Sequence, residues 1–182
     1  MKHESPPTHL DVKLFAQAAN ALGGHDLLSN YERLIRETKG VGADSPLNWS
    51  AHGELRIDQS GAQQIWLHLT VDACLPLVCQ RCMGSAGVGV AVHRSFRFVD
   101  SEEAAAAQDE EAEEDVLVLS REFYLAELIE DEVLMALPLV PRHETCSIDV
   151  KLAVADPGFD AATAEKRNPF AVLATLQGDK SR

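Results

Sequence analysis

The chain has 182 residues, 46% apolar and 25% charged, with a formal net charge of −13. These proportions exclude wholesale disorder, a collagen-like fibre and a small disulfide scaffold. Its longest membrane-like stretch, residues 133–140, falls far short of the ~20 residues that span a bilayer and is broken by Pro138, so no membrane partner is expected.

Residues 1–7 carry no apolar core of the secretory kind, which predicts a cytoplasmic protein with thiols or metal ligands rather than disulfides. After Asp11, an N-cap, the apolar positions Val12, Phe15, Ala16 and Ala19 predict a helix stopped by Gly23-Gly24. Leu27, Leu28, Tyr31, Leu34 and Ile35 predict a second helix, running to Gly40. From Leu47 the period changes to two. Leu47, Trp49, Ala51, Leu55 and Ile57 form one apolar phase; Ile65, Leu67, Leu69, Val71, Ala73 and Leu75 form the next. Val88, Val90, Val92, Phe96 and Phe98 form the third, with Arg94 out of place on the inner face. Three alternating segments predict an antiparallel sheet with one buried face, and residues 116–119 add a short fourth strand.

Between residues 100 and 132 stand fourteen acids and one base, Arg121, so this segment holds the whole charge excess and the remainder is neutral. Residues 100–115 hold nine acids and five alanines and no large apolar side chain. That composition predicts a mobile acidic loop, with a solvated helix as the alternative. Ser120 is read as the cap of a further helix whose apolar face is Leu125, Leu128, Ile129, Val133 and Ala136, with Glu127, Glu130 and Asp131 in solvent and Pro138 ending it. A short C-terminal helix is expected from Asn168, as N-cap, and Pro169. The expected fold is α+β: a helical segment over 1–46, a sheet-plus-helix core over 47–146 with the acidic loop at 100–115, and a tail over 147–182 with a docking block at 168–174.

The sharpest chemical signal is Cys79-Gln80-Arg81-Cys82, in the connection between the second and third strands. With His143 and Cys146 it makes a Cys3His set of tetrahedral-zinc type, separated by a gap of sixty residues. Structural zinc on Cys79, Cys82, His143 and Cys146 is one reading; a redox-active dithiol and inert, buried cysteines are the others. Cys74, on the polar phase of its strand without a partner at ligand spacing, reads as structural. The histidines form no HExxH pair, no Gly-rich loop carries a P-loop lysine, and Ser85 and Ser95 lack a nucleophile-elbow frame, so the chain does not read as an enzyme. Trp49, Phe96 and Phe98 fall on core phases. Trp66 falls on the polar phase, exposed beside a modest basic patch of Arg56, Arg81 and Arg97.

The Cys-Gln-Arg-Cys loop between strands, the acidic segment, Glu130-Asp131-Glu132-Val133-Leu134-Met135-Ala136-Leu137-Pro138-Leu139-Val140-Pro141, the His143 and Cys146 pair, and the terminal Asn168-Pro169-Phe170-Ala171-Val172-Leu173-Ala174 block stand in an order that resembles the YceD family, the large ribosomal RNA subunit accumulation proteins. The resemblance is most specific from Cys79 to Ala174. It implies a bacterial cytosolic protein needed for synthesis, processing or stability of 23S ribosomal RNA, without catalytic residues. The alternatives are a zinc- or thiol-dependent regulatory adaptor and an RNA-processing enzyme. An acidic chain repels phosphate backbones, so the expected direct partner is a basic ribosomal protein or assembly factor, with rRNA contact secondary.

Overall fold

Alternation of apolar and polar residues builds five strands, seen in a computed structural model that describes residues 5–58, 61–109 and 112–148 and the single positions 156, 158 and 170. They are β1 (Ala21–Leu27), β2 (Pro46–Ile57), β3 (Gln63–Val78), β4 (Ser85–Val99) and β5 (Asp115–Val118), in that order across one sheet. The first four pair antiparallel, whereas β5 runs parallel to β4, so the sheet is mixed rather than purely antiparallel. The helices are α1 (Val12–Gln17), α2 (Glu32–Glu37), α3 (Glu102–Asp109) and α4 (Leu125–Met135). With both helix and strand, the fold is α+β. The core lies on one sheet face: Leu67, Leu69, Val71, Leu75, Phe96 and Phe98 meet Val12 and Phe15 from α1, Leu34 from α2, and Leu125, Ile129 and Val133 from α4.

The parallel pairing of β5 explains a departure from expectation. A parallel neighbour needs a crossover, and residues 100–114 supply it. Half of the predicted loop is therefore the helix α3, the alternative reading. Ser101 Oγ accepts from Ala104 N–H at 3.2 Å, Glu102 and Glu103 occupy the positive first turn, and Ala105 is buried. An alanine face suffices where the helix only skirts the sheet.

The N-terminal half differs too. Asp11 caps α1, accepting from Leu14 N–H at 3.0 Å, but the helix ends at Ala18 and Ala19 turns to φ +47°. Gly23 and Gly24 lie within β1 instead of stopping a helix, and Leu27 belongs to that strand rather than to α2. A Cβ on Gly23 would sit 3.2 Å from the Trp49 carbonyl, so glycine permits this close pairing with β2. Pairing with an open sheet edge overrode a sequence that carries no alternation of its own. Leu28–Asn30 form a 3-10 turn before α2, and Gly40 at φ +80° follows it.

Helix α4 starts at Leu125, five residues beyond Ser120. Phe123 exchanges two backbone hydrogen bonds with Leu10 as an isolated antiparallel bridge just before the helix, and Ser120 Oγ accepts from Glu122 N–H within the bend instead of capping α4. Ile129 and Val133 are buried as predicted, Leu128 is half-buried, Ala136 is exposed, and Glu130, expected in solvent, is buried. Met1–Cys146 and Ser147–Arg182 are separate compact units. The predicted C-terminal helix lies outside the described residues apart from Phe170. Among the described residues no helix is long and apolar enough to cross a membrane.

Candidate metal centre

The β3–β4 hairpin closes where Cys79 N–H donates to the Gly84 carbonyl at 2.8 Å and Met83 N–H returns to the Cys79 carbonyl at 2.9 Å. The four-residue loop needs a left-handed residue, which Met83 supplies at φ +61°. This turn points Cys79 and Cys82 the same way. The chain after α4 is brought to the turn by its backbone, Gln80 N–H donating to the Pro141 carbonyl at 2.8 Å.

Cys79, Cys82, His143 and Cys146 thereby converge, their ligand atoms all within 4.8 Å of one another. The Sγ atoms of Cys79 and Cys146 are 3.9 Å apart, and His143 Nδ1 lies 3.4 Å from Cys82 Sγ and 4.0 Å from Cys146 Sγ. A tetrahedral zinc with Zn–S of ~2.3 Å and Zn–N of ~2.0 Å sets ligand–ligand edges of ~3.6–3.8 Å. These three edges bracket those values and all six lie within 4.8 Å, so the donor set could hold such an ion. Every sequence-predicted ligand is in this cluster.

Two neighbours tune it. His143 Nε2–H donates to the Ser85 carbonyl at 2.9 Å, which leaves Nδ1 as the lone-pair nitrogen facing the sulfurs. Arg81 donates through Nε to Cys146 Sγ at 3.1 Å and through Nη2 to the carbonyls of His143 and Glu144 at 3.0 and 3.2 Å. Bound to a zinc dication, three thiolates would leave one negative charge, which the Arg81 guanidinium would balance. Burial pushes the Cys79 thiol up, yet N–H groups of Cys82, His143 and Arg81 outweigh that and bring it down to about 5. At Cys82 the Gly84 N–H pulls the pKa down, but burial and the sulfurs of Cys79 and Cys146 push it above the ordinary thiol value. The Cys146 sulfur, then the Ser85 carbonyl, raise His143.

Sequence reasoning placed Arg81 only in a loose basic patch and gave Ser85 no role in the cluster. An arginine inside the C-x2-C loop, one residue from a ligand, was the available signal. That patch does not assemble: Arg81 is committed to the cluster, Arg97 pairs with Glu114 at 2.6 Å, and Arg56 lies 4.4 Å over the Trp66 ring, which is buried rather than exposed. Cys74 is exposed, so it is not the buried structural residue expected.

Together these features define a sheet whose hairpin tip is tied to the segment after α4 by a Cys3His cluster. The model of the family described as "Large ribosomal RNA subunit accumulation protein YceD" matches residues 67–177, more than half the chain, and the chain belongs to that family. The match spans both halves of the cluster, the acidic crossover and α4. No solved structure matches the chain.

Proposed function

We propose that this protein is a non-catalytic cytoplasmic factor in synthesis, processing or stability of 23S ribosomal RNA, acting through a basic ribosomal protein or assembly factor. Family membership carries this reading. The charge distribution supports the protein-first partner: among residues 100–132 the acids outnumber the bases fourteen to one, a field that attracts lysine- and arginine-rich surfaces and repels phosphates. Contact with rRNA is then secondary. In this reading Cys79, Cys82, His143 and Cys146 hold a structural zinc that fastens the hairpin to the post-helix segment, and the ion supplies cross-linking rather than reactivity.

In-cell crosslinking followed by identification of bound RNA and bound protein tests the partner. A basic ribosomal protein or assembly factor is expected as the main product, and recovery falls with salt and with replacement of the nine acids of residues 100–115 by Ser, Gly and Gln. Tight binding of naked pre-rRNA by the purified protein overturns the protein-first reading, and turnover of rRNA overturns the non-catalytic one. Elemental analysis of anaerobically purified protein is expected to give one zinc per chain; metal-free protein sinks the zinc.

A further inference from the structure

The edge of β4 is partly unused. The Cys79–Gly84 hydrogen bond fixes which residues of β4 bond to β3, and with the register Val78↔Ser85 it turns the N–H and C=O of every odd-numbered residue away from β3. Two contacts agree. The Ser85 carbonyl, at one end, is taken by His143, and the Val99 carbonyl, at the other, is taken by Leu119 N–H at 2.8 Å. Between them β5 begins pairing only at Phe96. Gly87, Gly89, Ala91 and His93 thus present outward N–H and C=O groups with no backbone partner among the described residues, and all four are exposed.

Among the described residues, the 85–93 stretch of this edge carries few of the devices that blunt an open strand, the inward-facing Arg94 lying just beyond it. Residues 85–93 read Ser-Ala-Gly-Val-Gly-Val-Ala-Val-His, with no proline, lysine or acid. Pro76 of β3 is opposite Gly87 and leaves the β4 edge untouched. Beside the edge runs a groove of about 330 Å³ toward the C-terminal end of α4, walled by Arg94, Glu132 and Met135. Met135 is 67% exposed, while Glu132 is only 5% exposed, and its one cationic partner among the described residues is Arg94 at 3.5 Å, with Asp115 and Asp131 as like charges nearby. Arg94 itself is paired with Asp115. Burial is the main reason that the Glu132 carboxyl is raised above its ordinary value, with Arg94 offsetting only part of it. The groove therefore combines unpaired backbone, an apolar wall and an under-neutralised carboxylate.

We propose that the open β4 edge at residues 87–93, with the groove beside α4, is a docking site for one extended peptide segment of a partner protein, added antiparallel as a strand in line with β5 and carrying a lysine that reaches Glu132. Backbone pairing supplies affinity and the alternate side chains facing α4 supply selectivity. Seven residues of strand, ~23 Å at ~3.3 Å each, fill the gap between His143 and Asp115. The lysine requirement rests on the basic-partner reading above; the edge itself does not. In the antiparallel direction the lysine falls in the N-terminal half of the peptide, because Glu132 lies beside Arg94.

The probe is a fluorescein-labelled nine-residue peptide of alternating valine and threonine with one lysine near its N-terminus, compared with the same peptide N-methylated at alternate amides and with a version whose lysine is near the C-terminus. N-methylation is expected to weaken binding at least about tenfold, the equivalent of one to two lost buried hydrogen bonds. Gly89→Pro, which removes only an outward N–H where a Cβ meets nothing within 4 Å, reproduces that loss with unchanged circular dichroism and melting. Moving the lysine weakens binding about fivefold in the wild type and not in Glu132→Gln, as one exposed-to-buried charge pair requires. Equal affinity for the N-methylated peptide, or no binding at about 1 mM, overturns the docking site and leaves the basic-partner reading standing. Indifference to lysine position with N-methyl sensitivity intact overturns the Glu132 contact and leaves the edge site and the basic-partner reading standing. A wild-type dimer lost in Gly89→Pro assigns the edge to a second copy of the chain and overturns the peptide.

Discussion

Two ties join remote parts of the chain by opposite chemistry. At the tip of the β3–β4 hairpin, sulfur and nitrogen atoms from Cys79, Cys82, His143 and Cys146 converge. Between α4 and α2 a single carboxylate does the joining: Glu130 on α4 accepts from Arg33 N–H at 2.6 Å, Leu34 N–H at 3.2 Å and Arg33 Nε at 2.8 Å. Glu130 thus satisfies orphan donors at the start of α2, a helix whose own N-cap, Tyr31, makes no side-chain cap bond. Asp131 adds a second contact to Arg33. The cluster could hold a metal ion, whereas the Glu130 tie is complete as it stands. The lesson is that an acidic run can hide a buried structural carboxylate as readily as it can advertise a solvated face.

Alanine at Cys79, Cys82, His143 or Cys146 is expected to lower stability by about 4 kcal/mol when zinc stands at a thousandfold its dissociation constant, equally for all four. Chelation reproduces the loss in the wild type only, as thermal melting with and without chelator will show. Unequal losses among the four break the single-site reading.

Glu130→Ala strands two α2 N–H groups and Arg33, and should cost ~2–4 kcal/mol by urea denaturation. Asp131→Ala, half-exposed, should cost under ~1 kcal/mol. If the two variants melt together, the buried tie carries no more than a surface ion pair.

Met83→Gly sharpens the metal end in the other direction. Relief of its left-handed backbone should stabilise the hairpin by ~1 kcal/mol without altering zinc content. A destabilised variant would show that the Met83 side chain contributes more than its φ costs.

The smallest effect belongs to an exposed polar tie on the outer face of the sheet. Glu54 Oε2 lies 2.8 Å from Arg56 and 2.8 Å from His68 Nε2, while His68 Nδ1 meets Ser95 Oγ at 2.8 Å. Arg56, then His68, draw the Glu54 carboxyl down to about 2 from an ordinary 4.5. A depressed carboxyl stabilises fully above its unfolded pKa and loses that contribution as pH falls through the folded one. The melting difference between wild type and Glu54→Gln should therefore be small at pH 7 and disappear between about pH 4.5 and 2. A difference that persists below pH 2 would mean that the side chain acts through packing.

What was legible in the sequence follows from local rules. Period-two alternation placed β2, β3 and β4 because each has one wet and one dry face, and Asp11 announced α1 by its capping oxygen. The four metal-ligand candidates were legible because cysteine pairs at zinc spacing are sparse in a chain with four cysteines. Tertiary structure alone decided the rest. Strand β1 exists because β2 offered a free edge to a segment with two glycines, and the parallel β5 turned an acidic stretch into the crossover helix α3. Glu130 and its neighbour Asp131 carry the same charge in sequence, yet the start of α2 lies against one and water against the other. A carboxylate's role is set by the donors around it, and those donors come from a helix ninety-seven residues away.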